Sequence, residues 1–421
     1  MFGLWRKLDG YDKLSLILGF TVVAKVRVVG VFSIAEFILM YMFVFQNVSY
    51  YRQNKYVKNL FTWSILWTIG TVISNFHNNV EQLDFIKGVF FLVVLIILIP
   101  PIYKVLRDKP ERLVLFYLGY GFGQLIAPYV ARDAETAEAL SEGVYLYYGI
   151  ATLVSSFGYY LYLKGKSSLG MWICYAAAVV GLFNMARNPF LTGSIAMILL
   201  ILLQKHTSRA PSTATSYFRK KIPVYLVFAM LGILMADSIY EPLAANGTLG
   251  VDAQEKYYKQ KMSGGNALEG GRSETFMGIQ LIKENPIWGY GSYARDKNDA
   301  FHARYATEHN KEYIWTGDWD RLLPGHSHLV GAWVQNGILG GLFWIYVLWI
   351  LWLAFKSGCI LCEPRLLCLM MYQICALLWN IAFSPFGDRV FTMFIIIGIF
   401  TIYDHYQKGL YDTRQVQRLN I

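Results

Sequence analysis

The chain has 421 residues, of which 55% are hydrophobic and 16% aromatic but only 16% charged, and its mean hydropathy is +0.37. Soluble domains usually carry about 25% charged residues, so the composition excludes an ordinary soluble domain. It predicts a polytopic membrane protein, because many apolar runs have the roughly 17–25 residues that cross a bilayer. The net charge of +10 then indicates the positive-inside bias of cytoplasmic loops, and no nucleic-acid partner is expected.

The apolar runs predict an all-α polytopic membrane protein with about twelve transmembrane helices. The first run follows basic residues and has no cleavage site of small residues, so we interpret it as an uncleaved helix. An even number of spans puts both termini on one side of the membrane. The predicted spans are residues 12–28, 30–47, 59–75, 84–103, 112–131, 144–163, 169–187, 190–204, 222–240, 327–355, 366–383 and 390–406.

Charge in the connectors predicts the orientation. Residues 48–58, 164–168 and 204–221 contain lysine and arginine but no acid, whereas residues 131–143 hold one arginine against four acids. The positive-inside rule therefore places both termini in the cytoplasm. The short turn with Lys25 and Arg27 is an exception, since this topology places it outside.

The longest connector divides the chain into three predicted regions. Residues 1–240 hold helices one to nine, residues 241–325 form a large external loop with short helices, and residues 326–421 hold the last three helices and a cytoplasmic tail. Within the loop, Ser273 is a candidate helix cap and Asn285-Pro286 a helix end. Gly289 and Gly291 then predict a tight turn.

The sequence predicts neither a cofactor nor a bound metal. Cys359 and Cys362 form one C-x-x-C pair beside apolar segments, which favours incidental membrane cysteines. The spacings of the loop histidines, including His302 and His309, match no zinc pattern. Nucleotide-binding motifs are absent from the sequence as well.

Polar residues collect beside span ends on the predicted external side. Such clustering favours a site for an amphiphilic substrate. Guanidinium groups suit phosphate, because they bind its oxygens bidentately and keep their charge. The candidates are Lys25, Arg27, Arg187, Arg272, His326, His328 and Arg389.

Each candidate also has a plainer interpretation. Arg187 could simply extend its side chain to the membrane interface. Arg389 could form an ion pair with its neighbour Asp388, and Arg272 could be an ordinary exposed loop residue. The two basic residues after the first span fit a short first helix equally well. His326 is either an interfacial histidine or the group that removes the proton from a reacting hydroxyl.

Residues 272–341 resemble the signature region of the O-antigen ligase/O-antigen polymerase superfamily of bacterial membrane glycosyltransferases. In that family an arginine opens a helix, an Asn/Asp-Pro-x-x-Gly-x-Gly turn follows, and after a variable loop a histidine precedes a Gly-x-x-Gly turn inside the next span. The matching positions here are Arg272, Asn285 to Gly291, His326-Ser327, and Gly337 to Gly340.

The resemblance implies a GT-C-like helical fold in the bacterial inner membrane and a metal-independent transfer from a polyprenyl-diphosphate-linked oligosaccharide. It implies that Arg272 and Arg187 grip the diphosphate, with His326 deprotonating or orienting the acceptor hydroxyl on the periplasmic face. Lys25, Arg27 and Arg389 are further candidates for diphosphate binding. The glycines at 289, 291, 337 and 340 are expected to be structural.

Three functions stay open at this point. One is a polymerase of surface polysaccharide repeat units, whose acceptor is a second lipid-linked glycan and whose candidate partner is a chain-length regulator. Another is a ligase that transfers the finished glycan to lipid A core or another acceptor. The third, from another class, is a flippase of lipid-linked sugars; Glu36 and Asp237, acids well inside or near a span, would favour it.

Overall fold

The computed structural model describes residues 8–27, 31–130, 144–183, 187–207, 221, 224, 241–248, 250–251, 254–255, 257–258, 273–308, 321–357 and 364–408. These residues are mostly helical. The helices are α1 (Gly10–Thr21), α2 (Ile34–Phe45), α3 (Lys55–His77), α4 (Gln82–Leu106), α5 (Arg112–Val130), α6 (Val144–Leu163), α7 (Ser167–Phe183), α8 (Arg187–Thr207), α9 (Ser273–Glu284), α10 (Ala300–Glu308), α11 (His328–Ser357), α12 (Leu367–Phe383) and α13 (Arg389–Gln407). Two short strands, β1 (Lys25–Arg27) and β2 (Val31–Ser33), pair antiparallel.

Three stretches within α4, α11 and α13 are long and apolar enough to cross a membrane: Gln82–Leu106, His328–Lys356 and Arg389–Gln407. Four other predicted spans fall on shorter apolar helices within α2, α7, α8 and α12. The segments predicted at 12–28, 59–75, 112–131 and 144–163 coincide at least in part with α1, α3, α5 and α6, and the one at 222–240 lies outside the described residues except for Val224. The structure therefore has the apolar helices of a membrane protein, while the number twelve stays a prediction.

The first predicted span is wrong at its end. α1 stops at Thr21, and residues 25–27 form the first strand of a small hairpin instead of the last turns of a helix. The β-branched residues of the hairpin favour extended backbone, and Ser33 then caps α2 in a reciprocal capping box with Glu36. The fold is therefore not strictly all-α. Lys25, which is an exception to the positive-inside rule in the predicted topology, lies on β1.

α13 forms the centre of the helical core. Every residue from Val390 to Asp404 except Phe391 is buried, and its side chains join one continuous apolar cluster with α4, α11 and α12. Phe394 stacks on Phe116 of α5 with ring centroids 4.1 Å apart. Asp388 caps this helix by accepting a hydrogen bond from the Phe391 amide at 3.3 Å.

Helix termini meet at two opposite ends of the bundle. At one end, the starts of α2, α11 and α13 and the first half of α4 meet the last turn of α3 and the segment that follows α9. At the other, Arg112 binds Asp9 and Asp12, and Lys408 donates to the Gln53 carbonyl at 2.9 Å. The first end carries the candidate site.

Candidate functional site

The segment that holds α9 and α10 packs onto the first turns of α11. Leu281 of α9 and Phe301 and Tyr305 of α10 bury their side chains against Val330 and Val334. α9 begins at Ser273 and ends at Glu284, directly before Asn285-Pro286, which confirms the helix predicted there. This small apolar cluster holds α9 and α10 against the start of α11.

A tight turn in residues 285–291 fits into a break in α11. Gly337 has φ 67° and ψ −159°, so the helix is interrupted there. The Ile338 amide donates to the Ile287 carbonyl at 3.1 Å, and the Tyr290 amide donates to the Val334 carbonyl at 2.8 Å. The loop thus satisfies backbone groups that the break leaves free.

Glycine is required on both sides of this contact. Gly289 has φ 69° and Gly291 has φ 89°, which L side chains rarely adopt. A Cβ at Gly337 would lie 2.1 Å from the Ile287 carbonyl oxygen, and a Cβ at Gly289 would lie 2.6 Å from the Gly337 amide nitrogen. A Cβ at Gly340, farther along α11, would lie 2.4 Å from the Ala332 carbonyl oxygen.

His326 lies just before α11 and contacts the first turn of α9. Its Nδ1 binds the carboxylate of Glu274, and the Thr275 hydroxyl donates to the His326 carbonyl at 3.3 Å. The imidazole is 59% exposed. A carboxylate on Nδ1 fixes the tautomer of a histidine and stabilises the imidazolium that forms when Nε2 takes a proton. The pair has the geometry of an oriented base.

Arg272 itself lies outside the described residues, but the helix that supplies Glu274 begins at the next residue. The side chains of Arg27 and Arg187 also lie outside them; their backbones belong to β1 and to the start of α8. Lys25 is exposed on β1 and pairs with Ser33, whose capping box includes Glu36. The structure therefore brings Lys25 to the end of the bundle where His326 lies.

Arg389 is engaged in a buried ion pair. Its Nε lies 2.7 Å from Glu36, and its two other nitrogens donate to the carbonyls of Phe91 and Val31 at 3.2 Å each. The guanidinium also stacks on the Phe91 ring, 4.3 Å from its centroid. The ion pair expected with Asp388 is therefore wrong, because Arg389 pairs with Glu36 and so joins α13 to α2. Since all its nitrogens are engaged within the protein, we no longer count Arg389 among the candidate diphosphate ligands.

A second charged cluster stabilises the loop. Asp296 accepts hydrogen bonds from the amides of Phe301 and His302 at 2.9 and 3.0 Å and from His302 Nδ1 at 2.5 Å. Burial alone raises the pKa of Asp296, but these donors outweigh burial and hold the pKa below its ordinary value. Asp299 forms an ion pair with Arg321.

Asp296, Asp299 and His302 lie close enough together to suggest a cation site. Asp296 already accepts two backbone hydrogen bonds, however, and Asp299 already forms an ion pair with the Arg321 guanidinium. We therefore interpret the cluster as a structural contact that holds the start of α10 to the segment before α11. Sequence reasoning missed it, because it considered His302 only with other histidines.

Sequence reasoning also missed Glu274. An acid in the first turn of a helix is ordinarily explained by its interaction with the helix dipole. The position of Glu274, two residues after Arg272, therefore did not indicate a functional role. Only the approach of His326, 52 residues later in the chain, distinguishes it.

The sequence matches none of the known protein-family models and none of the curated proteins with which it was compared. The function therefore has to be argued from this site and from the spacing of its motifs.

Proposed function

We propose that the protein is a membrane glycosyltransferase that polymerises surface polysaccharide by transferring a glycan from polyprenyl diphosphate to an acceptor sugar hydroxyl. The observation that carries the proposal is the contact of His326 with Glu274. It joins two motif segments about fifty residues apart at the end of a bundle of apolar helices, where a lipid-borne diphosphate meets the protein. The fit of the 285–291 turn against Gly337 joins the remaining two segments in the same unit.

In the proposed reaction the acceptor oxygen attacks the anomeric carbon of the donor glycan. The bond from that carbon to the diphosphate oxygen breaks, and the diphosphate leaves with the electron pair. His326 takes the proton from the acceptor hydroxyl while Glu274 stabilises the imidazolium. Arg272 and Arg187 neutralise the charge that develops on the leaving diphosphate, and Lys25 and Arg27 add to the positive field.

The proposal includes a place in the cell and a set of partners. The protein lies in the bacterial inner membrane with both termini in the cytoplasm and the site on the periplasmic face. Its partners are the lipid-linked oligosaccharide, an acceptor glycan or glycolipid, and a chain-length regulator. The reaction uses no metal and no cofactor.

A ligase that transfers the finished glycan is the second candidate, because donor and chemistry are shared and only the acceptor differs. A flippase is less well supported, since the acid Glu36 that favoured it is neutralised by Arg389.

Mass spectrometry of polyprenyl-diphosphate-linked glycans from cells that lack the gene tests these functions. Single repeat units that accumulate on the periplasmic face indicate the polymerase, and long lipid-linked chains indicate the ligase. Repeat units trapped on the cytoplasmic face would contradict both and leave the flippase.

Complementation of the deletion with variants sharpens this test. We expect Arg272→Ala and His326→Ala to fail. Arg304→Ala should succeed, because Arg304 is a half-exposed loop arginine that pairs with Glu284 at 2.7 Å, outside the proposed machinery.

A further inference from the structure

The two residues that follow His326 are fixed to the end of α12. Ser327 is only 1% exposed, and its hydroxyl donates a hydrogen bond to the Ile381 carbonyl at 2.7 Å. His328 is 4% exposed, and its Nδ1 lies 2.7 Å from the Ser384 carbonyl. A carbonyl only accepts hydrogen bonds, so Nδ1 of His328 carries the proton. Both side chains therefore connect the start of α11 to the end of α12 within the protein.

The Ser327 hydroxyl satisfies a backbone group on each of these two helices. Its oxygen accepts from the Val330 amide at 3.0 Å, so Ser327 caps the first turn of α11, whose amides have no partner within the helix. The Ile381 carbonyl belongs to the last turn of α12, where carbonyls likewise lack helical partners. A hydroxyl can donate and accept at the same time. One side chain therefore joins two helix ends that meet beside His326.

The backbone of His326 lies in a tight turn between these contacts. The Ser327 amide donates to the Gly325 carbonyl at 2.7 Å, which closes a three-residue turn with His326 at its centre. The His326 carbonyl accepts from the Thr275 hydroxyl of α9 at 3.3 Å. The turn is thus fixed to α9 through His326 and to α12 through Ser327. Because the imidazole extends from the middle of this turn, its direction depends on both attachments.

We propose that Ser327 is a positioning residue for the transfer: its hydrogen bond to Ile381 keeps the imidazole of His326 in the orientation that reacts. In that orientation Nδ1 of His326 binds Glu274, and Nε2 is left for the acceptor hydroxyl. This role rests on the proposed function, because His326 must be the base. α12 thereby becomes part of the site, although none of the candidate residues predicted from the sequence lies on it.

Turnover of the lipid-linked glycan by the purified full-length protein tests this role. Ser327→Ala removes the hydroxyl, and so does Ser327→Gly, which keeps a residue type that caps helices well. We expect both to lower kcat by about 10- to 100-fold, since a displacement of about 1 Å at a reacting group has effects of this size. KM should change little, because Ser327 acts on the imidazole and not on the substrate. Ser327→Thr keeps the hydroxyl and should recover most of the rate.

Ser15→Ala is the matched control. Ser15 is fully buried, and its hydroxyl donates to the Arg112 carbonyl at 2.7 Å, which joins α1 to α5 at the opposite end of the bundle. This variant loses the same kind of hydrogen bond between two helices without altering the His326 turn. We expect its kcat to match the wild type; an equal loss in Ser15→Ala and Ser327→Ala would overturn the positioning role.

The same substitution in a protein without the imidazole separates positioning from stability. If Ser327 acts through His326, Ser327→Ala should not lower the residual turnover of His326→Ala any further. A similar loss in the wild type and in His326→Ala would show that the serine acts in another way and would overturn the positioning role. Absence of glycan transfer by the wild type would instead overturn the proposed function.

Hydrogen–deuterium exchange measures the turn without a substrate. In Ser327→Ala the peptide that covers residues 322–332 should exchange faster than in the wild type, whereas peptides from α1 should be unchanged. Ser327→Thr should exchange like the wild type. Equal exchange of this peptide in all three proteins would show that the hydrogen bond to Ile381 does not hold the turn.

Discussion

At the scale of single residues, the pairing of His326 with Glu274 decides how the proposed site works. We expect His326→Ala to lower turnover of the lipid-linked glycan by about 10²- to 10⁴-fold, the usual contribution of a positioned base. Glu274→Gln should lower it by at least about tenfold, because the amide no longer stabilises the imidazolium. The measurement is turnover by the purified protein.

Glu284→Gln is the matched control for Glu274, since both acids lie on α9 and Glu284 binds Arg304 instead. If Glu274→Gln turned over as fast as Glu284→Gln, the carboxylate would have no part in the reaction.

Asp296 makes the loop sensitive to acid. Its pKa in the folded protein is held below the ordinary 3.8, so its stabilising contribution is complete above about pH 4 and is lost as the pH falls further. We expect limited proteolysis within residues 295–323 to accelerate below that pH in the wild type. Asp296→Asn should be cut faster at neutral pH and should respond less to acid; an unchanged acid response in this variant would contradict the assignment.

At the scale of elements, the break in α11 requires glycine at 337. Its φ and ψ lie in a region that is essentially restricted to glycine, and residues there cost about 1–3 kcal/mol. We expect Gly337→Ala to lower the free energy of unfolding by at least that amount, because a Cβ also meets the Ile287 carbonyl oxygen at 2.1 Å. The melting temperature in detergent measures it.

Gly387→Ala is the control for Gly337, since nothing lies within 4 Å of a Cβ built at Gly387. Equal melting temperatures for the two variants would show that the loop does not lock into the break.

The Arg389–Glu36 pair holds α13 against α2. Removal of one partner from a buried pair leaves an uncompensated charge and usually costs about 3–5 kcal/mol. We expect Arg389→Met to melt much earlier than the wild type, and the double variant Glu36→Gln with Arg389→Met to recover part of the loss. Polyprenyl diphosphate binding by the double variant should match the wild type; a large loss would return Arg389 to the diphosphate site.

Much of the element pattern is readable from sequence. Apolar runs with few charges predict helices, and each predicted span within the described residues coincides at least in part with one. The paired strands β1 and β2 were not predicted, because a twelve-residue helix followed by valine-rich sequence has the same apolar pattern as one longer helix. Arg389 was assigned the wrong partner because sequence shows neighbours such as Asp388, whereas Glu36 reaches it only through tertiary packing.

At the scale of the whole molecule, the two ends of the bundle predict two sides of a membrane. We expect Arg304→Cys to react with an impermeant maleimide added to the periplasmic side of intact spheroplasts. Asp108→Cys, 60% exposed at the opposite end, should react only after the membrane is opened. The described native cysteines are buried, which limits background labelling. Labelling of both variants from the same side would contradict the topology.

The candidate site was only partly predictable, because some of its residues are far apart in the sequence and meet only in the folded protein. Motif spacing identified His326 and the glycine turn, because those positions constrain the backbone wherever they occur. The contact of Glu274 with His326 depends on two segments 52 residues apart meeting in space, and a single sequence contains no record of such distances.

The break at Gly337 has a consequence for biogenesis. Residues 285–291 are synthesised before α11, and their backbone supplies the hydrogen bonds that the interrupted helix lacks. If the loop stayed in the cytoplasm, α11 would enter the lipid with unpaired amide and carbonyl groups, which the bilayer penalises heavily. In the proposed topology, export of the loop would therefore act as a checkpoint, since α11 could reach its final packing only after the loop had crossed the membrane.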